Sequence, residues 1–135
     1  MSTELVRNEW GVILQDGELV ELRWLASTSS MGDGGFMATL CLFAWEAEKA
    51  RPRGLMIDAL EFRHKFGEGV MAWRDAHIIP RYGAMGMTRF AFHVPAGAPG
   101  TVEAGGTPAV EGSATFPTGW FSTRAGANGW LADQR

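Results

Sequence analysis

One short apolar run between two helical patterns constrains the fold of this chain most strongly. Residues 55–60 read Leu-Met-Ile-Asp-Ala-Leu and carry a single charge, which is typical of a strand buried on both faces. In residues 33–50 apolar side chains recur at helical spacing. Residues 66–82 show a similar pattern up to Pro80, which ends or kinks a helix. Helices on either side of a buried strand predict an α/β fold with some parallel strand pairing.

Two further patterns of alternating apolar residues precede the first helix. Residues 5–14 and residues 19–25 each alternate with the period of a strand, and Asp16-Gly17 between them is a strong hairpin turn sequence. The sequence therefore predicts an antiparallel hairpin near the N-terminus. Together with the parallel strands later in the chain, this hairpin makes the predicted sheet mixed.

The C-terminal part combines two more strand patterns with a long stretch that has no period. Residues 88–94 alternate strictly, residues 115–123 predict a last strand or an irregular edge, and residues 125–134 predict a short helix. Residues 95–113 are rich in Gly, Ala and Pro and contain no aromatic residue, so we expect a flexible loop. A loop of this length in a small domain is either a lid over a site or an idle insertion.

Composition restricts the classes of function. The chain has 135 residues, which predicts a single domain over residues 1–135. A net charge of −3 argues against nucleic-acid binding, and no apolar run reaches the roughly 20 residues that a membrane helix needs. The N-terminus lacks a secretory signal pattern, so we expect a cytoplasmic protein. The single cysteine, Cys41, lies in an apolar run and is interpreted as a buried, unreactive thiol.

Several segments spread along the chain carry a family resemblance. These segments are residues 24–31, 54–58, 61–64, 79–82, 89–92 and 127–131, together with Trp73 and Gly86. In these segments the chain resembles the small bacterial SpoIIAA-like proteins of the STAS fold, also described as STAS/SEC14 domain proteins. The resemblance covers most of the chain except residues 95–113, and none of the segments is a catalytic fingerprint.

The resemblance implies a mixed sheet of four or five strands with helices packed mainly on one face. It also implies a regulatory switch, an interaction module or a domain that binds lipids or small apolar molecules, because family members act in all three ways. Members that act as phosphoswitches carry a serine after the central strand, roughly in the motif Asp-Ser-Ser-Gly. Residues 58–67 here contain no Ser or Thr, so we expect no phosphoswitch.

Three residues are candidates for catalysis. Asp58 lies in the predicted central strand near its end, where α/β sheets bind ligands, but its carboxylate also suits a cap for the next turn. His64 is either a group that titrates near neutral pH or an exposed loop histidine. His77 shares a helix face with Trp73, which makes it either a core histidine or a base in an aromatic pocket. We prefer the cap for Asp58, the exposed loop position for His64 and the core position for His77.

Methionine and aromatic side chains offer an adaptable apolar cavity, with core packing and a dimer surface as the alternative. Trp45 lies off the main helical stripe and indicates a partner surface, for which a homodimer is the usual solution. His93 alternates with Phe92 and is expected at the surface. The predicted ligand contacts are Trp24, Met31, Asp58, Arg63, His64, Trp73, His77 and Tyr82.

No metal or cofactor is predicted, since the histidines lack a His-x-x-x-His spacing and no phosphate-binding loop motif occurs. We therefore expect a non-catalytic domain that binds a small apolar or lipid-like ligand or a protein partner. The alternative is a small cofactor-free isomerase, cyclase or lyase with an aromatic pocket. In that alternative Asp58, His64 or His77 acts as base, and Arg63 or Tyr82 stabilises negative charge.

Overall fold

A computed structural model describes residues 2–133, which form one six-stranded sheet and four α-helices. The strands are β1 (Thr3–Arg7), β2 (Gly11–Asp16), β3 (Leu19–Trp24), β4 (Gly54–Asp58), β5 (Arg89–His93) and β6 (Thr118–Phe121). The helices are α1 (Asp33–Ala50), α2 (Val70–His77), α3 (Ile79–Ala84) and α4 (Arg124–Ala132), with short 3₁₀ turns at Ala26–Ser30 and Val102–Ala104.

The sheet is mixed, and its strands lie side by side in chain order. The pairs β1–β2 and β2–β3 are antiparallel, while β3–β4, β4–β5 and β5–β6 are parallel. The predicted hairpin is confirmed: Gly17 adopts a φ of +58°, which glycine reaches without strain. The α/β class and the mixed sheet are likewise confirmed.

The sheet has six strands, whereas four or five were predicted, because the single strand predicted over residues 5–14 is two strands. The side chain of Asn8 causes the break. Its Oδ1 accepts hydrogen bonds from the backbone N–H groups of Trp10 (2.8 Å) and Gly11 (3.0 Å). This side-chain turn reverses the chain and adds β1 as an extra edge strand beside β2.

Helix α1 has the predicted bounds, whereas the second helix, predicted over residues 66–82, begins only at Val70 and is divided into α2 and α3 at Ile78. Pro80 explains the division, since it has no backbone N–H to donate and its ring clashes with the preceding turn. The proline lies instead in the first turn of α3, where the missing donor has no cost. The predicted C-terminal helix is α4, and its predicted last residue, Gln134, lies outside the described residues.

The two faces of the sheet bury separate cores. On one face Leu55, Ile57 and Phe90 pack with side chains of α1, α2 and α3. On the other face Met56 and Ala91 pack against α4. Because successive residues of a strand point to opposite faces, the alternation in β4 and β5 supplies both cores. Three helices thus cover one face and one helix covers the other.

The stretch 95–113 is attached to the body of the protein at several points. Thr101 forms a bridge to Trp120, and Ala109 forms one to Thr118. The carboxylate of Glu103 accepts hydrogen bonds from the Ser122 N–H (3.0 Å) and the Thr123 hydroxyl (3.1 Å), just before α4. The Ser122 N–H contributes most to holding the pKa of Glu103 below its usual value. The flexibility expected of this stretch stays a prediction.

Candidate functional cavity

A cavity of about 340 Å³ lies between the sheet face that carries α1 and the segment 109–118. Its floor is the sheet itself. Trp24 of β3, Ile57 of β4, Phe90 and Phe92 of β5 and Trp120 of β6 all line it. Phe92 and Trp120 stack with their ring centroids 5.8 Å apart. The floor is therefore mostly aromatic, and the alternation along these strands places its side chains on one face of the sheet.

The helices supply the inner wall. Leu40 of α1, Met71 of α2, and Ile79 and Tyr82 of α3 line the cavity. Leu40 and Tyr82 are each only 1% exposed. The inner end of the cavity therefore lies deep in the core, where ligand contacts are shielded from water.

The segment 109–116 forms the roof. Ala109, Ala114 and Phe116 contribute apolar surface, and the Ser113 hydroxyl donates a hydrogen bond of 2.8 Å to the backbone carbonyl of Asp75 on α2. This contact holds the roof against the helical wall. The sequence predicts either a lid or an idle insertion for residues 95–113; Ala109, Glu111 and Ser113 of this stretch line the cavity, and the lid stays a prediction.

The mouth is marked by exposed apolar side chains. Phe66 lines the cavity yet is 43% exposed. Leu60 and Val110 are also exposed, and each is a chain neighbour of a cavity-lining alanine, Ala59 or Ala109. Apolar groups at a rim are typical of sites that take up apolar molecules from solution.

Rings from α1 and the loop after β4 form an aromatic cluster beside the mouth. Phe36 stacks on Trp24 at 5.5 Å and meets Phe66 edge-on at 4.7 Å. Phe62 contacts both Trp24 and Phe36 in edge-on geometry. Aromatic pairs of this kind stabilise the cavity wall in addition to the stabilisation that comes from burying their apolar surface.

His64 fastens this cluster to the start of α1. Its Nε2 lies 2.7 Å from Oδ1 of Asp33, which also accepts the Gly67 N–H at 3.1 Å. The hydrogen bond from His64 is the larger cause of the lowered pKa of Asp33. The carboxylate therefore stays ionised under ordinary conditions and anchors the loop that carries Phe66.

Polar groups in the cavity are few and mostly satisfied. Arg74 is the one basic residue among the described lining residues, and it bonds Asp75 through Nε (3.2 Å) and Nη2 (3.0 Å). Glu111 adds an exposed carboxylate. The hydroxyl of Tyr82 is buried and has no hydrogen-bond partner within residues 2–133. Burial raises the pKa of Tyr82 far above its usual value, so its phenol is neutral.

A separate charged cluster occupies the opposite sheet face. The Arg124 guanidinium binds both carboxylate oxygens of Glu21, at 2.8 and 2.6 Å, and Oδ2 of Asp58 at 2.7 Å. Arg23 lies 3.2 Å from Glu21, and Nδ1 of His93 lies 3.5 Å from Asp58. The hydrogen bonds to Glu21 are the largest cause of the raised pKa of Arg124. The positive charge of Arg124 compensates the buried carboxylates of Glu21 and Asp58.

This cluster corrects two expectations. His93 is 6% exposed and buried rather than a surface residue, because α4 covers that face of β5. Asp58 does act as a cap, since its Oδ1 accepts the Leu60 N–H at 3.1 Å. However, Asp58 lies on the face away from the cavity, because its neighbour Ile57 points into the cavity.

Of the eight predicted ligand contacts, Trp24 and Tyr82 line the cavity. Met31 is buried in the core, and Arg63 is exposed and paired with Glu61. His64 lies behind the cavity wall, in contact with Asp33 and with rings that line it.

The helix pattern around Trp73 was misleading. Trp73 is half-buried and lies against His77, with 6.1 Å between ring centroids, and neither residue lines the cavity. His77 is exposed, so its preferred assignment as a core histidine is wrong. The face of α2 that meets the cavity carries Met71, Arg74 and Asp75 instead. Cys41 is half-buried rather than buried.

Comparisons with known proteins give no relative. No protein-family model matches the chain, and no curated protein or solved structure is significantly similar to it. Within residues 2–133 no group of three or more His, Cys, Asp or Glu side chains is placed to hold a metal ion. None of the helices in that range combines the length and hydropathy needed to cross a membrane.

Proposed function

We propose that this chain is a STAS-like, non-catalytic domain that binds a small apolar or lipid-like molecule in the cavity. The observation that carries the proposal is the cavity itself, with about 340 Å³ walled by aromatic and aliphatic side chains. Ligand sites in proteins are concave, mostly apolar and begin near 300 Å³. At roughly 30 Å³ per water molecule, the volume equals about eleven waters. An aromatic molecule of two or three rings or a short acyl chain is therefore of suitable size.

The roof and the rim support the same proposal. Ser113 and Asp75 close the cavity on the side of α2, while the lining residue Phe66 leaves apolar surface exposed. A buried apolar interior reached past an apolar rim favours molecules that water solvates poorly.

The alternative, an enzyme with an Asp/His pair in an aromatic pocket, has less support. The described residues contain two such pairs, Asp33–His64 and Asp58–His93, and neither pair lines the cavity. Asp58 is in addition bound to Arg124 on the far side of the sheet. A homodimer through the exposed face around Trp45 stays a prediction.

Filling the cavity is expected to abolish binding of a neutral apolar probe. Ala114 lines the cavity from the roof, and Ala114→Trp places a large ring in the space that a ligand needs. We expect the dissociation constant of N-phenyl-1-naphthylamine to rise at least about tenfold, a loss of about 1.4 kcal/mol or more, because the indole ring occupies space that the probe needs. Fluorescence titration of the full chain measures this change.

The matched control is Ala125→Trp, because Ala125 is exposed on α4 and does not line the cavity. This variant is expected to bind the probe like the unaltered chain. Circular dichroism establishes that both variants are folded. Equal affinity of the two variants, or no binding of the probe by the unaltered chain, contradicts the proposed function.

A further inference from the structure

One residue that lines the cavity, Tyr82, has a buried hydroxyl without a hydrogen-bond partner in the described part of the chain. Tyr82 is 1% exposed and its ring packs against Phe43, Phe90 and Phe116, so the phenol is fixed in place. Its hydroxyl has no hydrogen-bond partner among the described residues, although the residue lines the cavity. Nearly all buried polar groups in proteins are hydrogen-bonded, so this exception calls for a physical explanation.

We propose that the ligand is an apolar molecule with an uncharged oxygen acceptor, such as a ketone, ester or ether, and that Tyr82 donates a hydrogen bond to that oxygen. The inference rests on the proposed function and names the chemical class of its ligand. A buried hydroxyl without a partner is unfavourable in a folded protein, and an acceptor on the ligand removes this cost when the ligand binds. Molecules with the acceptor are thereby selected over plain hydrocarbons.

The charges around the cavity favour a neutral ligand. Arg74, the one basic residue among the described lining residues, is already paired with Asp75. Arg81 lies close enough to Tyr82 to interact with it electrostatically, but it is paired with Glu48. Its Nε lies 3.1 Å from Glu48 Oε2. Glu111, an exposed residue, adds a negative charge to the lining. A buried carboxylate on the ligand would therefore meet no uncompensated cation, and burying it would be costly.

The direction of the hydrogen bond follows from the state of the phenol. Burial raises the pKa of Tyr82, so the hydroxyl keeps its proton at all ordinary pH values. A neutral phenol donates readily to a carbonyl or ether oxygen. Tyr82 is therefore a binding and specificity residue, and the inference assigns it no chemical step.

The test compares two probes of nearly identical shape, 2-acetylnaphthalene and 2-isopropenylnaphthalene, which differ in having an oxygen or a methylene at one position. Each is titrated by calorimetry against the full chain and against Tyr82→Phe, which removes only the hydroxyl. We expect the preference for the ketone over the hydrocarbon to be about tenfold greater in the unaltered chain than in the variant. Binding of the hydrocarbon is expected to be unchanged or tighter in the variant.

A third probe, 2-naphthoate, tests the charge argument. We expect it to bind the unaltered chain at least about tenfold more weakly than the ketone. Infrared spectra give a readout that needs no variant: the carbonyl stretch of bound 2-acetylnaphthalene is expected at lower frequency than in hexane. A carbonyl stretch that matches the hexane value overturns the inference.

The outcomes separate this inference from the proposed function. If both neutral probes bind and Tyr82→Phe leaves their ratio unchanged, the hydrogen bond is overturned while the cavity remains a ligand site. If 2-naphthoate binds as tightly as the ketone, the neutral ligand class is overturned. If neither neutral probe binds the unaltered chain, the proposed function and this inference both fail.

Discussion

Replacing Arg124 by Met is expected to lower the free energy of unfolding by about 3 kcal/mol at neutral pH. Glu21 and Asp58 are 6% and 5% exposed, and Arg124 bonds both of them. Removing the guanidinium leaves two carboxylates close together with little solvent to compensate them. The expected loss is at the lower end of the range for broken buried pairs, because the Arg124 side chain is 36% exposed.

The loss in Arg124→Met is also expected to depend on pH. Without the guanidinium of Arg124, the half-exposed Arg23 is the remaining arginine beside the two buried carboxylates, and their mutual repulsion costs the folded state free energy while both are ionised. Protonation at low pH removes these negative charges and with them the cost. The difference from the unaltered chain should therefore be largest near pH 7 and shrink toward pH 4. Urea unfolding at several pH values measures it.

Arg23→Met is the matched control, because Arg23 contacts the same Glu21 at 3.2 Å but is 43% exposed. An exposed pair of this kind contributes about 1 kcal/mol or less, so the control should lose little stability. Equal losses in the two variants, or a loss in Arg124→Met that does not vary with pH, would contradict the role given to Arg124.

The second large effect is expected for Phe36→Ala, with a loss of about 3–4 kcal/mol in the free energy of unfolding. Phe36 is 5% exposed, stacks on Trp24 and contacts Phe62 and Phe66, so its removal opens the aromatic wall of the cavity. The same substitution enlarges the space for a ligand. We expect a bulkier neutral probe than N-phenyl-1-naphthylamine to gain affinity relative to that probe. Thermal and urea unfolding measure the first effect, and fluorescence titration the second.

Phe66→Ala serves as the control, since Phe66 contacts the same ring but is 43% exposed at the mouth. Its loss should be clearly smaller, about 1–1.5 kcal/mol, because Phe66 keeps 43% of its surface exposed and therefore buries less apolar area on folding than Phe36. If Phe66→Ala destabilises the protein as much as Phe36→Ala, the burial assigned to the cluster is wrong.

Local periodicity predicts the elements of this fold well. The bounds of α1 and the position of β4 follow from side-chain spacing alone, and Asp16-Gly17 specifies the first hairpin. The predicted strand over residues 5–14 is instead two strands, because the Asn8 side chain forms a turn between them. The spacing of apolar residues does not indicate such a turn. Propensity and period describe elements, and they do not locate a short side-chain turn inside one of them.

The candidate site was harder to predict, because long-range packing decides which face of each element a ligand can reach. The alternation in β4 and β5 places Asp58 and His93 on one face, but only the position of α4 makes that face buried and closed. His77 was assigned to a core stripe, although the helix is interrupted directly after it. The roof residue Ala114 belongs to a segment with no period at all, so no pattern marks it.

Methionine methyl signals test the central claim most directly, because one methionine lines the cavity and another is buried on the opposite face of the sheet. Met71 lines the cavity, whereas Met56 is fully buried against α4 on the opposite sheet face. With ¹³C-methyl methionine labelling and saturating 2-acetylnaphthalene, we expect the Met71 signal to shift and the Met56 signal to stay in place. A shift at Met56 without one at Met71, or no shift at either, would contradict a ligand site in this cavity.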